Sequence, residues 1–251
     1  YIAGDDDQAI YEWNGARPER FVNYDGDKIV LNQSYRIPST VHPIAKRISE
    51  RIVSREPKEY KPRQELGTVN NVSSIETLPL EEGQWLVMAS CDYMLTDTSK
   101  GYNVRKFLID NGYPFAHNQY RYIPLRMVSA IDTWNKIKTE EVTLAELDDL
   151  YYYLGKQGVK RGFISKVGQD KELGHKVTLQ EAMDNYGLKE EILDKTWKEL
   201  FDKSIDVERK AFIEKAMNNK EDLHGEPRIV ISTIHQAKGG EAENVAVYLD
   251  L

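Results

Sequence analysis

The chain has 251 residues, enough for one large domain or two small ones. Hydrophobic residues make up 40% and charged residues 30%, which excludes a disordered polyelectrolyte and fits an ordinary globular protein. The net charge of −7 excludes a uniformly basic nucleic-acid binder but leaves room for a local basic groove.

The single cysteine, Cys91, excludes an intrachain disulfide and fits a reducing compartment. No apolar run of about 18 residues occurs, so no helical membrane span is expected, and no signal peptide is visible at the start.

In chain order, Tyr1-Ile2-Ala3 reads as the end of a buried strand. Gly4-Asp5-Asp6-Asp7-Gln8-Ala9-Ile10-Tyr11-Glu12-Trp13-Asn14-Gly15-Ala16 follows, placing carboxylates, an amide and two aromatics where an open α/β sheet would bind ligands. Two readings stay open. One is a helix capped by Asp7 with Tyr11 and Trp13 in the core. The other turns the aromatics outward as platforms for bases. Contiguous aspartates do not supply the alternating geometry of a calcium loop.

Arg17-Pro18-Glu19-Arg20-Phe21 continues the first helix or begins a short one. Asp25-Gly26-Asp27 is a turn and Lys28-Ile29-Val30-Leu31 a compact strand. Pro38 and Ser39 open a helix with Val41, Ile44, Ala45, Ile48 and Ile52 on one face. The charged segment Arg55 to Arg63 reads as a solvated linker. Strands are expected from Gly67 to Thr77 and over Trp85-Leu86-Val87-Met88-Ala89, then a helix from Gly101 to Asn111 capped by Gly112.

From Gln119 to Glu226 the pattern is mostly helical. Met127, Ile131 and Trp134 form one stripe, and Leu144, Leu147, Leu150, Tyr151 and Leu154 another. Thr178-Leu179-Gln180-Glu181 has capping-box character, and Lys189 to Met217 reads as one or two further helices. Arg228 to Ser232 is a buried strand, and Val245 to Asp250 a central one.

Three blocks carry a family resemblance. Gly4 to Ala16 closely resembles motif III of the UvrD/Rep/PcrA-like superfamily 1A DNA helicases, roughly GDxDQSIYxWRGA. Leu31-Asn32-Gln33-Ser34-Tyr35-Arg36 is similar to their motif IV (LxxNYRS). Thr233-Ile234-His235-Gln236-Ala237-Lys238-Gly239-Gly240-Glu241 is similar to motif V (TxHxAKGLEF). Gly112-Tyr113-Pro114-Phe115 resembles the GIPY segment that leads into the family's inserted subdomain.

The fold this resemblance implies is α/β, a RecA-like P-loop NTPase-type parallel sheet with a mostly helical inserted subdomain. Residues 1–27 would close the first RecA-like domain, and 28–118 and 227–251 would form the second. Residues 119–226 would be a 2B-like helical insertion. The chain then reads as an internal piece of a longer protein.

The implied function is part of an ATP-dependent DNA helicase or translocase of 3′→5′ polarity. It would couple ATP hydrolysis to movement on single-stranded DNA and to duplex unwinding. ATP and Mg2+ would be held mainly by an N-terminal half outside this sequence. The only Gly-Lys pair, Gly155-Lys156, is followed by Gln157 and lacks the earlier glycine of a Walker A loop. The Asp-Glu pair of the family's Walker B is absent too, so this piece alone is expected not to hydrolyse ATP. Val247-Tyr248-Leu249-Asp250 mimics the strand-then-Asp pattern but reads as a structural strand end.

By resemblance, Gln8 senses the γ-phosphate and Arg36 is an arginine finger. Tyr35 stacks on adenine, Glu241 accepts from the ribose, and Gly239 and Gly240 let the backbone approach the nucleotide. Tyr11 and Trp13 stack on single-strand bases, and Thr233 and His235 touch DNA. Lys238 either adds a phosphate contact or makes a structural ion pair. Arg36 paired with a surface acid, and Tyr35 buried in the core, remain open. No metal ligand is assigned. Two departures stand out: Asn14 where the family has Arg, and Gly240-Glu241-Ala242 where it has Leu-Glu-Phe.

The implied partners are single-stranded DNA, single/double-strand junctions, the rest of the same helicase chain, and proteins reached through the helical insertion, with no membrane. The implied location is cytoplasmic, bacterial or phage-encoded. The rivals are a RecB/AddA-like helicase–nuclease subunit, a non-catalytic DNA-binding or interaction module, and a stand-alone metal enzyme using Asp5, Asp6 and Asp7.

Overall fold

The computed structural model describes residues 1–97, 99, 103–167, 174–201 and 204–249, without the side chains of 165 and 166. The expected helix start at Gly101 and strand end at Asp250 lie outside the described residues. The architecture is mixed α/β with a mostly parallel central sheet. Among the described residues no helix is long and apolar enough to cross a membrane. The chain divides into two compact units, Tyr1–Ser74 and Ile75–Leu251.

The first unit opens on two short 3-10 turns, Asp6–Gln8 and Glu12–Asn14. It continues with α1 (Pro18–Val22), β1 (Gln33–Pro38), α2 (His42–Ser49) and β2 (Lys61–Arg63). Tyr1, Ile2 and Ala3 are exposed and form no strand, which corrects the expected buried strand end. No strand among the described residues pairs with them. Pro18 supplies the fixed φ that suits the first position of α1.

β1 and β2 pair in parallel, with Gln33 opposite Lys61, and the Lys61 amide donates to the Asn32 carbonyl at 2.7 Å. The strand expected over 28–31 is therefore displaced to 33–38. A strand exists only where a neighbour takes up its backbone groups. The helix expected from Pro38 begins instead at His42, with Pro43 in its first turn. The stretch 67–74 forms no strand. Instead the Gly67 amide donates to Thr40 Oγ1 at 2.9 Å, a local side-chain substitute for a ladder.

The second unit holds the five-stranded sheet. Its strands are β3 (Trp85–Ala89), β4 (Phe115–His117), β5 (Tyr120–Arg121), β8 (Ile229–Thr233) and β9 (Asn244–Tyr248), in the order β5-β4-β8-β3-β9. Only β5 runs antiparallel to its neighbour. The continuous apolar run of β3 suits a central parallel strand. A small antiparallel pair is made by β6 (Val142–Thr143) and β7 (Lys176–Val177).

Among the described residues, two α-helices lie between β3 and β4, α3 (Tyr93–Thr96) and α4 (Val104–Asn111). Asn103 caps α4 by accepting from the Lys106 amide at 2.8 Å, and Gly112 ends it in the left-handed region at φ 70°. The helical stretch contains α5 (Leu125–Lys136), α6 (Leu144–Gly158), α7 (Ile164–Val167), α8 (Leu179–Asp184), α9 (Trp197–Leu200) and α10 (Val207–Asn218).

Both expected stripes are buried, Met127, Ile131 and Trp134 on α5 and Leu144 to Leu154 on α6. The box at Thr178–Glu181 forms, and Thr143–Glu146 and Thr196–Glu199 form two more. Residues 189–217 break into a 3-10 turn (Glu190–Ile192), α9 and α10, more pieces than expected. One apolar core runs from the sheet into these helices. Phe115 of β4 stacks on Tyr122 at 4.9 Å, and Tyr122 meets Phe212 of α10 edge-on at 5.1 Å.

Gly112 is where this packing tolerates no side chain. A Cβ there would lie 2.6 Å from Lys215 Cβ and 2.8 Å from the Ala216 amide nitrogen, on top of the left-handed strain. Gly112→Ala should lower stability by at least ~1 kcal/mol, read from urea unfolding of the whole chain.

Candidate functional site

The Asp5-Asp6-Asp7 run gathers three negative charges in one turn, where like charges raise one another's pKa unless cations answer them. Asp5 caps the 3-10 turn, its Oδ1 accepting from the Asp7 amide at 3.2 Å. Lys58 supplies the central cation. Its Nζ lies 2.9 Å from Asp5 Oδ1 and 3.4 Å from Asp7 Oδ2, and it pairs with Asp6 Oδ1 as well.

Arg55 adds a two-pronged bond to Asp7, Nε to Oδ1 at 2.8 Å and Nη2 to Oδ2 at 2.7 Å. The Glu56 amide donates to Asp6 Oδ2 at 2.6 Å. The Lys58 side chain is 8% exposed and that of Asp6 1%. The segment 55–63, expected as a solvated linker, is therefore the counter-charge of the acidic turn.

Titration follows from these contacts. Burial alone would raise the Asp5 and Asp6 carboxyls, but hydrogen bonds from Lys58, backed by Gln8 for Asp5 and the Glu56 amide for Asp6, hold both below their usual range. Burial alone would lower Lys58, but its bonds to Asp6 and Asp5 and the pull of the carboxylates raise it. The Asp7 hydrogen bond, working against burial, likewise raises Arg55.

Gln8 is exposed and its Nε2 donates to Asp5 Oδ2 at 2.6 Å, so it belongs to this network. Tyr11 and Trp13 lie on the next turn, ring centroids 6.3 Å apart and tilted by 56°. Trp13 is 75% exposed, and Tyr11 is exposed too, so core burial of the pair is overturned, as is capping by Asp7. Tyr35, on β1, is 85% exposed and not a core residue, and Arg36 beside it is exposed.

In the second unit, β8 delivers Thr233 to the carboxyl end of the parallel sheet, the edge where such sheets bind ligands. The Ile234 amide continues the ladder to the Ala89 carbonyl at 2.9 Å. Thr233 Oγ1 accepts from the Gln236 amide at 3.3 Å, and the Thr233 carbonyl from the Ala237 amide at 2.9 Å, so the chain turns at once. The Gly240 amide returns to the Ala237 carbonyl at 2.9 Å, and Gly239 sits at φ 83° with open space where a Cβ would be.

His235, Lys238, Gly239, Gly240 and Glu241 are all exposed or half-buried on this turn, and Thr233 is half-buried. A groove of ≈ 750 Å³ adjoins it, lined by Asn118, Arg228, Ser232, Lys238, Gly240 and Glu241 among others. Two of its lining residues are joined, Ser232 Oγ donating to Asn118 Oδ1 at 2.8 Å.

Thus Gln8, Tyr11, Trp13, Tyr35 and Arg36 lie in the first unit. Thr233, His235, Lys238, Gly239, Gly240 and Glu241 lie in the second. Sequence reasoning missed Arg55 and Lys58, although three contiguous aspartates demanded cations from somewhere. It also missed Asp92 and His117, paired at 2.5 Å between the carboxyl ends of β3 and β4, for which no local signal existed.

Removing the Lys58 charge leaves Asp6 buried without its cation, a loss that typically costs ~3–5 kcal/mol. Lys58→Met should therefore destabilise the first unit selectively, read by hydrogen exchange at the Asp7 and Glu56 amides against α5 and α6.

A pH dependence follows as well. Asp5 and Asp6 have folded pKa values below their unfolded ones, so their stabilisation is complete above about pH 4. It is lost as pH falls through the lowered folded values. The protection factor of the Glu56 amide should fall on acidification across that window. In Asp6→Asn that dependence should flatten.

None of the protein-family models, curated proteins or solved structures compared with this chain matches it.

Proposed function

We propose that this chain is the part of an ATP-dependent DNA helicase or translocase that carries motifs III to V, with its parallel sheet serving as a RecA-like core. The observation that carries this reading is the exposed Tyr11–Trp13 pair on the turn that follows the acidic run. A tryptophan normally buries most of its surface, so one held open beside a second ring calls for a flat partner. Bases are such partners, and stacking on aromatics is worth roughly 1–3 kcal/mol per base.

The neighbouring carboxylates would repel a phosphate backbone if bare. Lys58 and Arg55 offset two of the three negative charges, which lessens the repulsion of a polyanion at the platform. The same bonds occupy Asp5, Asp6 and Asp7, and this weighs against a stand-alone metal enzyme built on them.

For a nucleotide, the reading names a supporting role for residues of each unit. Arg36 offers a planar, always-charged fork for a terminal phosphate, and Tyr35 an exposed ring for the adenine. Gln8 would read the γ-phosphate from the end of the Asp5–Lys58 network. Glu241 would accept from the ribose beside the bare backbone of Gly239 and Gly240. ATP with Mg2+ would supply the phosphoanhydride whose cleavage drives movement. Thr233 and His235 are assigned to DNA, with Lys238 as a phosphate contact.

Two measurements test the reading. The 251-residue chain should bind oligo-dT, and Trp13→Ala should weaken that binding roughly 5- to 150-fold, the equivalent of ~1–3 kcal/mol, by fluorescence anisotropy. In a chain that also carries the phosphate-binding half, Arg36→Ala should cut DNA-stimulated ATPase by roughly 10³-fold or more and spare DNA affinity. DNA binding without any ATPase in the intact protein would favour a non-catalytic DNA-binding module. Failure to bind DNA at all would sink both accounts.

A further inference from the structure

Gln8 and Arg36 lie on separate elements of the first unit, and one continuous polar path joins those elements. Gln8 Nε2 donates to Asp5 Oδ2 at 2.6 Å, and Lys58 holds Asp5 Oδ1 at 2.9 Å. Three residues beyond Lys58, the Lys61 amide donates to the Asn32 carbonyl at 2.7 Å and opens β2 against β1. Gln33 closes the seam from the other side, its Nε2 donating to the Lys61 carbonyl at 3.2 Å and the Pro62 carbonyl at 3.4 Å.

The connecting backbone has little slack. Its ends are pinned by Arg55 on Asp7 and by the β1–β2 pairing, and Pro57 and Pro62 each fix a φ between them. A third tie holds Glu56, whose Oε2 accepts from Lys28 Nζ at 2.9 Å while the same ammonium donates to the Val22 carbonyl at 2.6 Å.

We infer that residues 55–63 form a strap in which Arg55 and Lys58 are positioning residues, tying Gln8 to the strand that carries Tyr35 and Arg36. The functional meaning of the strap rests on the helicase reading, because that reading gives Gln8 and Arg36 their roles. Its mechanical content does not. A displacement of the acidic turn must pull on Lys58, and through three residues on the β1–β2 seam. A displacement of the seam must in turn move Asp5 and Gln8. Such coupling is reciprocal by thermodynamic necessity.

The test is hydrogen exchange and side-chain amide NMR on the whole chain, without nucleotide or DNA. Lys58→Met should speed exchange about tenfold or more at the Asp7 and Glu56 amides and, together with them, at the Lys61 amide. The decisive variant is Gln33→Ala, which removes the side chain's bonds to the Lys61 and Pro62 carbonyls and to the adjacent Ser34 carbonyl and touches no carboxylate. It should shift the Gln8 side-chain amide signal and speed exchange across Asp5 to Gln8, with α5 and α6 unchanged.

A Gln33→Ala protein whose acidic turn behaves as wild type would overturn the strap. So would a Lys58→Met protein that opens the turn but keeps the Lys61–Asn32 bond. If Lys58→Met unfolds the whole first unit, Gln33→Ala alone decides. An intact strap in a chain that fails to bind DNA would leave the coupling standing and remove only the helicase reading.

Discussion

The first unit depends on the pairing of three carboxylates, one of them buried, with one lysine and one arginine. Among its described residues only Asp6 and Pro18 are fully buried, so no apolar core fixes the turns, helices and strands of residues 1–74 relative to each other. Desolvating those charges is costly, and the cost is recovered only if every lone pair and proton finds its partner. Lys58 brings one ammonium within ion-pair distance of all three carboxylates, Arg55 a two-pronged fork, and Glu56 its backbone amide. The geometry of the acidic turn is thereby set by residues some fifty positions away rather than by its own propensity.

The second unit rests on a different force. Its sheet and helices share one hydrophobic core, and its polar groups act at the ends of elements: three capping boxes, the Asn103 and Asp206 caps, and the Gly112 stop. The turn after β8 is of the same kind. Thr233 both ends β8 and caps the turn that follows, so the exposed His235 and the neighbouring Lys238 stand on a rigid base at the sheet's carboxyl edge. One unit positions its candidate residues by charge, the other by packing and capping.

That contrast explains what was legible. The stripes on α5 and α6, the Thr178–Glu181 box and the Gly112 cap are local patterns with fixed spacing, and each is readable from the order of residues alone. The strands expected at 28–31 and 67–77 were not, because a strand is defined by a neighbour that the sequence does not name. Asp5 to Asp7 were visible as a charge problem, but their answer at Arg55 and Lys58 depends on a long-range pairing disguised as a polar linker. Trp13 was undecidable from spacing, since a core aromatic and an exposed one occupy the same pattern.

On the proposed helicase reading, the departures from the resembled motifs gain meaning from the same charges. With Asn14 where the family carries Arg, the turn bearing Trp13 contributes no cation of its own, and Asn14 joins the structure through its backbone, donating to the Tyr11 carbonyl at 2.9 Å. The positive charge bonded to the acidic run comes from residues 55 and 58. A substitution there would then disturb two things at once, the partial charge compensation beside Trp13 and the placement of Gln8. Gly240 and Ala242 make the opposite trade. They bring no large apolar group to the turn after β8, which is shaped by the Thr233 hydroxyl and the backbone hydrogen bonds around it.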